Sequence, residues 1–569
     1  MKTKFMPLKS HADNLLLILV CGLFIWFFAS SLSIAYHKAP THDDAMFTTI
    51  PKNFLNGYGW ATSYGEKIPF NPDISTGPTL LLPAMVMIAT FGNQTWVPAM
   101  TGTIMNIFLT ILVVWQLWRL TKNRTAACLA LLLSISLFGV NDFKTFTAYY
   151  TCNLLFLFAL LIALNRQYSF ALRLFIYGAL AAIGLYAKPL ILLSFLIATP
   201  CIIFYEHGIN IKKYSKAILF VFIGFIIIFT PWNIYKESVL SKYSKSYQIA
   251  HSEYDKQFFE NHGSGIGQLK KSINKFKYLK LNSRKNYRIL SRFLQKEYNY
   301  PIYILLAVIG TAFFMMAKTP IRGNLQVRAS GPTTYPPDIF FTATLALVIS
   351  GNLLWYVIFS FAMTPGHAFF LTFFSFFLLF TLIATFSRSN IAGAILCLLL
   401  LLFFQVRIPP LIEAYRFKVA DIIHNEEIGN TLHYLKTHNH RYPLASCGYH
   451  AVPYRLEYLL PQSQNFVDCY NVLEDNLALD ESGANYYWRD SPNFTFVFET
   501  LSFFSVLRSQ SYILEPIADA CQQHILFKEG IFIICEVRFD EIKDKLDPAE
   551  TAMQLVNYQS WYRTRIKAD

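Results

Sequence analysis

Residues 14–36 form a run of 23 positions without a charged side chain. At ~1.5 Å per residue, a helix over that run crosses a hydrocarbon core ~30 Å thick. Eleven further apolar segments follow, at 78–92, 96–118, 125–141, 146–164, 172–187, 189–205, 217–234, 302–317, 338–363, 367–386 and 390–406. Only 15% of the residues are charged, against roughly 25% in soluble domains, and mean hydropathy is +0.35. The expected fold is an all-α polytopic membrane domain of about 11–13 transmembrane helices. Its 52 Phe and 33 Tyr suit lipid-facing and interfacial positions. The net charge of +14 would fit nucleic acid, but no basic-aromatic binding module is visible. Basic loops against anionic membrane lipids account for it more simply. Nine cysteines include no CxxC pair, so no zinc site is expected.

Lys2, Lys4 and Lys9 precede the first run. It reads as an uncleaved signal anchor of the inner (cytoplasmic) membrane, with its N-terminus in the cytoplasm. Residues 35–76 then form the first outside loop, rich in Gly, Tyr, Asn and Pro. Short basic connectors occur at Arg119–Arg124, Arg166–Arg173, Lys212–Lys216, Lys318–Arg328 and Arg388. Placing all of them in the cytoplasm gives a consistent alternation from 119 onward and puts the tail outside. One conflict stands: two crossings between 77 and 118 return the chain to the wrong side. Either 78–92 does not cross, or Arg119–Arg124 faces outward. The outside loop 235–300 interleaves Leu269, Ile273, Phe276 and Leu279 with Lys270, Lys271, Lys275 and Lys280. That is a basic amphipathic pattern, either a landing surface for phosphate-bearing lipids or a headgroup-bound linker.

Beyond the membrane domain, residues 1–409, charge returns. Residues 410–569 show helical patterns at 411–437 and 548–563 and strand-like runs at 494–506 and 525–539, a small α+β extracytoplasmic domain. It carries Cys447, Cys469, Cys521 and Cys535. Outside the cytoplasm, disulfides Cys447–Cys469 and Cys521–Cys535 are plausible; four buried thiols are the alternative.

His42-Asp43-Asp44 stands at the edge of the first span, where charge is scarce. A carboxylate at such a boundary is a functional candidate by default. An aspartate is ionised at neutral pH and serves as a general base without a large pKa shift. The alternative is structural: Asp43 or Thr41 capping a helix through Met46 to Leu55.

A family resemblance rests on an ordered set of motifs. The acidic pair opens the first outside loop and is followed by Asn53-Phe-Leu-Asn-Gly-Tyr-Gly59. Next come Ser75-Thr-Gly-Pro-Thr-Leu-Leu-Leu-Pro83 with Phe91-Gly92, and then a Gly-rich stretch from Gly178 to Lys188. Over residues 14–205 this order resembles the membrane-embedded glycosyltransferases of the C-fold (GT-C), in particular the protein mannosyltransferase and aminoarabinose transferase superfamily. The resemblance implies transfer of a sugar from a polyprenyl-phosphate donor to a lipid, glycan or protein acceptor at the outer face, with Asp43 as the base. Asp44, which stands where the family often has Glu, is expected as the supporting catalytic partner of that base. Lys188 would offset charge on the carrier phosphate; otherwise it snorkels to the interface.

The fit loosens elsewhere. Asn153 stands where the family often has Asp, and Asp142 and Lys144 lie close enough to substitute. His42, Tyr64, Lys67 and Asp73 are sugar-binding candidates in the outside loop, or simply its structure. His367, in Thr364-Pro-Gly-His367, is a candidate phosphate or sugar ligand, or an interfacial turn residue. No nucleotide-binding fingerprint occurs, which agrees with a lipid-linked donor. No metal or other cofactor is expected, although some C-fold enzymes use a divalent cation. The competing functions are a transporter or flippase for a lipid-linked glycan, and a glycan polymerase or ligase.

Overall fold

The computed structural model describes residues 8–64, 66–70, 76–120, 124–137, 148–208, 211–242, 285–292, 337–358 and 410–438, with short pieces at 306–381 and 444–499, and then 514–529 and 532–558. The expected segments at 302–317, 367–386 and 390–406 fall wholly or mostly outside these residues, as does most of loop 235–300.

The bundle begins with α1 (Leu8–His37). It continues through α2 (His42–Leu55), the hairpin β1 (Ala61–Tyr64) and β2 (Glu66–Pro69), α3 (Pro78–Phe91), α4 (Val97–Leu120) and α5 (Arg124–Leu137). Then come α6 (Tyr149–Leu164), α7 (Phe170–Ala187), α8 (Leu192–His207), α9 (Ile211–Leu240) and α10 (Pro337–Ile358). Six helices among the described residues are long and apolar enough to cross a membrane: 14–37, 97–120, 170–187, 189–207, 213–240 and 340–357.

Contacts sort the helix ends into two groups. Asn106 of α4 meets Thr151 of α6, and Gln116 meets Asn165, so these two helices run parallel. Tyr205 meets Phe340 and Ser194 meets Asn352, so α8 and α10 are antiparallel. At one end, Arg119 donates to the Tyr168 hydroxyl, Arg173 pairs with Glu206 at 3.0 Å, Arg166 donates to the Tyr205 carbonyl, and Phe170 packs on His207. Arg119 and the connector Arg166–Arg173 therefore gather on one side. The close of α1, the hairpin, Lys188 and the close of α9 gather at the other, where Tyr36 packs on Trp96 and Trp60 on Trp232.

Helix α3 resolves the conflict in the sequence. Its start lies against the far end of α7: Thr79 donates to the Ile183 carbonyl, and a Cβ at Gly77 would overlap the Tyr186 carbonyl. Its other end passes through Gly92 to Trp96, beside Tyr36. Both ends lie on the acidic side. Fourteen residues span only about 21 Å, short of a ~30 Å core. So 78–92 does not cross.

The described residues of the loop 35–76, expected outside, hold more regular structure than its Gly-rich composition predicts. They form a 14-residue helix and a hairpin. Gly57 and Gly59 take φ of 84° and 73°, a left-handed region where a Cβ is disfavoured, and they turn α2 into β1. The buried Asn53 amide fixes that turn by donating to the Ala61 carbonyl at 2.8 Å.

The C-terminal residues start with α11 (Pro410–Thr437) and α12 (Tyr454–Leu459). A five-stranded mixed sheet joins β3 (Leu444–Ser446), β4 (Phe466–Asp468), β7 (Phe494–Glu499), β8 (Ile525–Glu529) and β9 (Phe532–Val537) in the order β4-β3-β7-β9-β8; β5 (Leu477–Leu479) and β6 (Tyr486–Trp488) form a separate antiparallel pair. The expected strand over 525–539 is in fact a tight hairpin that ends at Val537, and Phe539 starts a short helix. Val497, Phe532 and Ile534 of the sheet pack with Ile428 and Leu435 of α11, and this core reaches Ala39 beyond α1. Helix α12 packs on α2. The α+β part thus sits on the acidic end of the bundle.

Candidate active site

Two forces set the acid pair at the start of α2. The first is capping. Thr41 is the N-cap; the Asp44 N–H donates to its hydroxyl at 3.1 Å, and the Thr41 N–H donates to the Asp44 carboxylate at 3.2 Å. This reciprocal box satisfies two amide donors at the helix start. The second is an ion pair. The Lys38 ammonium lies 3.4 Å from the same carboxylate, with side-chain exposures of 8% for Lys38 and 1% for Asp44. Asp44 is therefore a buried structural acid. Asp43 sits one position earlier in the first turn and is exposed. A helix advances about 100° per residue, so neighbouring side chains cannot share one environment. The cap expected at Asp43 or Thr41 belongs to Thr41.

Lys188 follows α7 as its C-cap, its N–H donating to the Gly184 carbonyl. It is buried, with Nζ 4.1 Å from the centroid of the Tyr149 ring, a cation–π contact. Next to it, Tyr186, Trp232, Trp60, Phe70 and Tyr235 form an aromatic cluster, with ring centroids 4.7 Å apart for Trp60–Trp232 and 5.9 Å for Phe70–Trp232. The cluster bolts the hairpin of the outside loop to the ends of α7 and α9. One turn past Tyr149, Asn153 is fully buried, and neither amide atom has a hydrogen-bond partner among the described residues.

The structure thus brings Asp43, Asp44 and Lys188 to one end of the bundle. His42 begins α2, Tyr64 closes β1 and Lys67 lies in β2, paired with Ser63. Asp73, Asp142, Lys144 and His367 lie outside the described residues, as do Cys447 and Cys469. Cys521 and Cys535 are joined by a disulfide. No group of three His, Cys, Asp or Glu placed to hold a metal occurs among the described residues.

Three residues escaped the sequence. Lys38 follows an apolar run and reads there as an interfacial lysine; its partner becomes visible only when α2 folds back. Trp232 and Tyr235 sit inside an apolar stretch, where aromatic residues are ordinary.

No known protein family profile and no curated protein matches the sequence. Solved structures do match. ArnT from Cupriavidus metallidurans bound to undecaprenyl phosphate aligns with 93% of this chain and 99% of its own, at TM-score 0.54 and 11% identity. The apo state of the same protein aligns at TM-score 0.41 and 12% identity, with the same coverage. The archaeal oligosaccharyltransferase AglB from Archaeoglobus fulgidus, in complex with an inhibitory peptide and a dolichol-phosphate, aligns at TM-score 0.43 and 10% identity over 79% of this chain and 65% of its own. With a transmembrane bundle, an ordered acidic loop and an α+β tail seated on the acidic end, this chain has the C-fold of the membrane glycosyltransferases, the fold of the aminoarabinose transferase ArnT.

Proposed function

We propose that this protein transfers a sugar from a polyprenyl-phosphate carrier to an acceptor at the outer face of the cytoplasmic membrane. The observation that carries the reading is the division of labour at the start of α2: Asp44 is buried and held by Lys38 and Thr41, while Asp43 faces solvent at the same bundle end as Lys188. The fixed acid orients the helix, and the exposed one is the general base.

In this reading Asp43 takes the proton from an acceptor hydroxyl or amine as that atom attacks the anomeric carbon. The bond from that carbon to the carrier phosphate oxygen breaks on the opposite side, and the configuration inverts. Lys188 offsets the charge that gathers on the leaving phosphate. Basic connectors at the far end favour a cytoplasmic placement there, and the Cys521–Cys535 disulfide favours an oxidising compartment for the tail.

The test is Asp43→Asn in the purified full chain, with a radiolabelled polyprenyl-phosphate sugar and membrane lipid extract as the acceptor source. Transfer is expected to fall at least a hundredfold, the usual contribution of a general base being about 100- to 10,000-fold. Transfer near the wild-type rate removes Asp43 from the chemistry.

A further inference from the structure

A second site lies where the α3–α4 connection meets the C-terminal region. A cavity of about 480 Å³ opens there between Asn93, Gln94 and Thr95 on one side and Asn425, Leu432 and Lys436 of α11 on the other. Its volume is within the range of small-molecule sites, about 300–1,000 Å³. Its lining is unusual for such sites because it is mainly polar. The carboxamides of Asn93 and Gln94 and the Thr95 hydroxyl each offer both a donor and an acceptor. Among the described residues, no aromatic ring lines it to stack a base, and no carboxylate, imidazole or thiol lines it to hold a metal. Amide pairs over an aliphatic floor, here Ile428 and Leu459, match the hydroxyls and C–H faces of a sugar.

The cavity is held in place. The Asn425 amide donates to the His37 carbonyl at 2.8 Å, and its other polar atom, Oδ1, is buried with no hydrogen-bond partner among the described residues. The Tyr458 hydroxyl donates to the Gln94 carbonyl at 3.4 Å; burial pushes that phenol upward, so it stays a donor. Lys436 is exposed and makes no ion pair among the described residues. The route to the acid pair is short in the chain: Asn425 grips His37, and the next residue, Lys38, grips Asp44.

We infer that this cavity is a carbohydrate subsite that holds a sugar of the acceptor, with Lys436 selecting an acidic substituent. The inference rests on the transferase reading for the word acceptor; sugar binding itself does not depend on it.

The test uses the full chain in detergent, with glucose, glucuronic acid and inorganic phosphate as probes and hydrogen-exchange mass spectrometry of residues 92–97 and 425–436 as the readout. Saturable protection by glucuronic acid, weaker protection by glucose and none by phosphate is the expected pattern. Gln94→Ala leaves the Gln94 backbone bond intact and should weaken binding roughly tenfold, the equivalent of about 1.4 kcal/mol. Asn425→Ala should do the same. Lys436→Gln should abolish the preference for glucuronic acid over glucose and leave glucose unchanged. Absence of saturable protection by either sugar, protection by phosphate equal to that by glucuronic acid, or binding indifferent to Gln94→Ala and Asn425→Ala overturns the inference. Asp43→Asn separates the two readings, because it should retain sugar binding here while losing transfer.

Discussion

Replacing Asp44 by Asn tests the claim that the acid pair is divided between structure and chemistry. The substitution keeps the size of the side chain and one acceptor oxygen for the Thr41 N–H. It removes the negative charge that faces Lys38 at 3.4 Å. At an effective dielectric of about 20, opposite charges at that distance attract by about 5 kcal/mol before desolvation is counted. With both side chains almost wholly buried, the ammonium left behind cannot recover that attraction from water. Breaking one partner of a buried pair costs about 3–5 kcal/mol. Asp43→Asn, on an exposed position, should change stability by no more than about 0.5 kcal/mol. Intrinsic-fluorescence melting of the detergent-purified chain measures the contrast. The Asp44 variant should unfold several degrees below wild type, and the Asp43 variant should melt with wild type. Lys38→Met combined with Asp44→Asn should recover most of the loss, because an apolar replacement of a buried pair is often neutral. The reasoning is refuted if Asp44→Asn melts with wild type, or if Asp43→Asn falls as far.

Three further outcomes follow from the packing. A Cβ at Gly178 would overlap the Val221 carbonyl, and one at Gly224 the Phe175 carbonyl, so Gly178→Val must push α7 and α9 apart at a cost of about 1–3 kcal/mol; size-exclusion profiles should show loss of the monodisperse peak, and an unchanged profile would mean the helices are not in close contact. The Cys521–Cys535 bridge closes a short loop of separation 14, worth about 3 kcal/mol; alkylation of unreduced protein should spare both cysteines, and Cys521→Ser should lower the melting temperature, whereas labelled thiols in the untreated chain would contradict the bridge. Because α3 does not cross, a cysteine at Gln94 should react with an impermeant maleimide from the same side as the C-terminal region, and one at Lys213 only from the opposite side; labelling of both from one side would overturn the two-ended arrangement.

The candidate site was legible in part. The acid pair was visible because two carboxylates beside a lipid-soluble run are rare. Gly57, Gly59 and Gly77 were visible as motif residues, and the structure supplies their reasons: two left-handed turn positions and one close approach to Tyr186. The separation of Asp43 from Asp44 was not legible in burial terms, because it depends on Lys38 and Thr41 closing on one carboxylate once α2 has formed.

By itself the sequence determined the class of solvent, because transfer of an apolar helix into lipid depends on its own composition. It also marked the basic connectors and the polar tail. It did not determine which apolar segments cross. Helix α6, from Tyr149 to Leu164, is buried among its neighbours, while α1 exposes Leu15, Ile18, Ile25 and Trp26. Protein interior and hydrocarbon are both apolar, so hydropathy does not distinguish a helix wrapped by protein from one wrapped by lipid. Only the tertiary structure decided that α3 returns to the side it left, that Asp44 is paired while Asp43 is exposed, and that α11 closes a polar cavity over residues 93–95. Each of these rests on groups far apart in the chain, whose energies exist only when the fold brings them within a few ångströms.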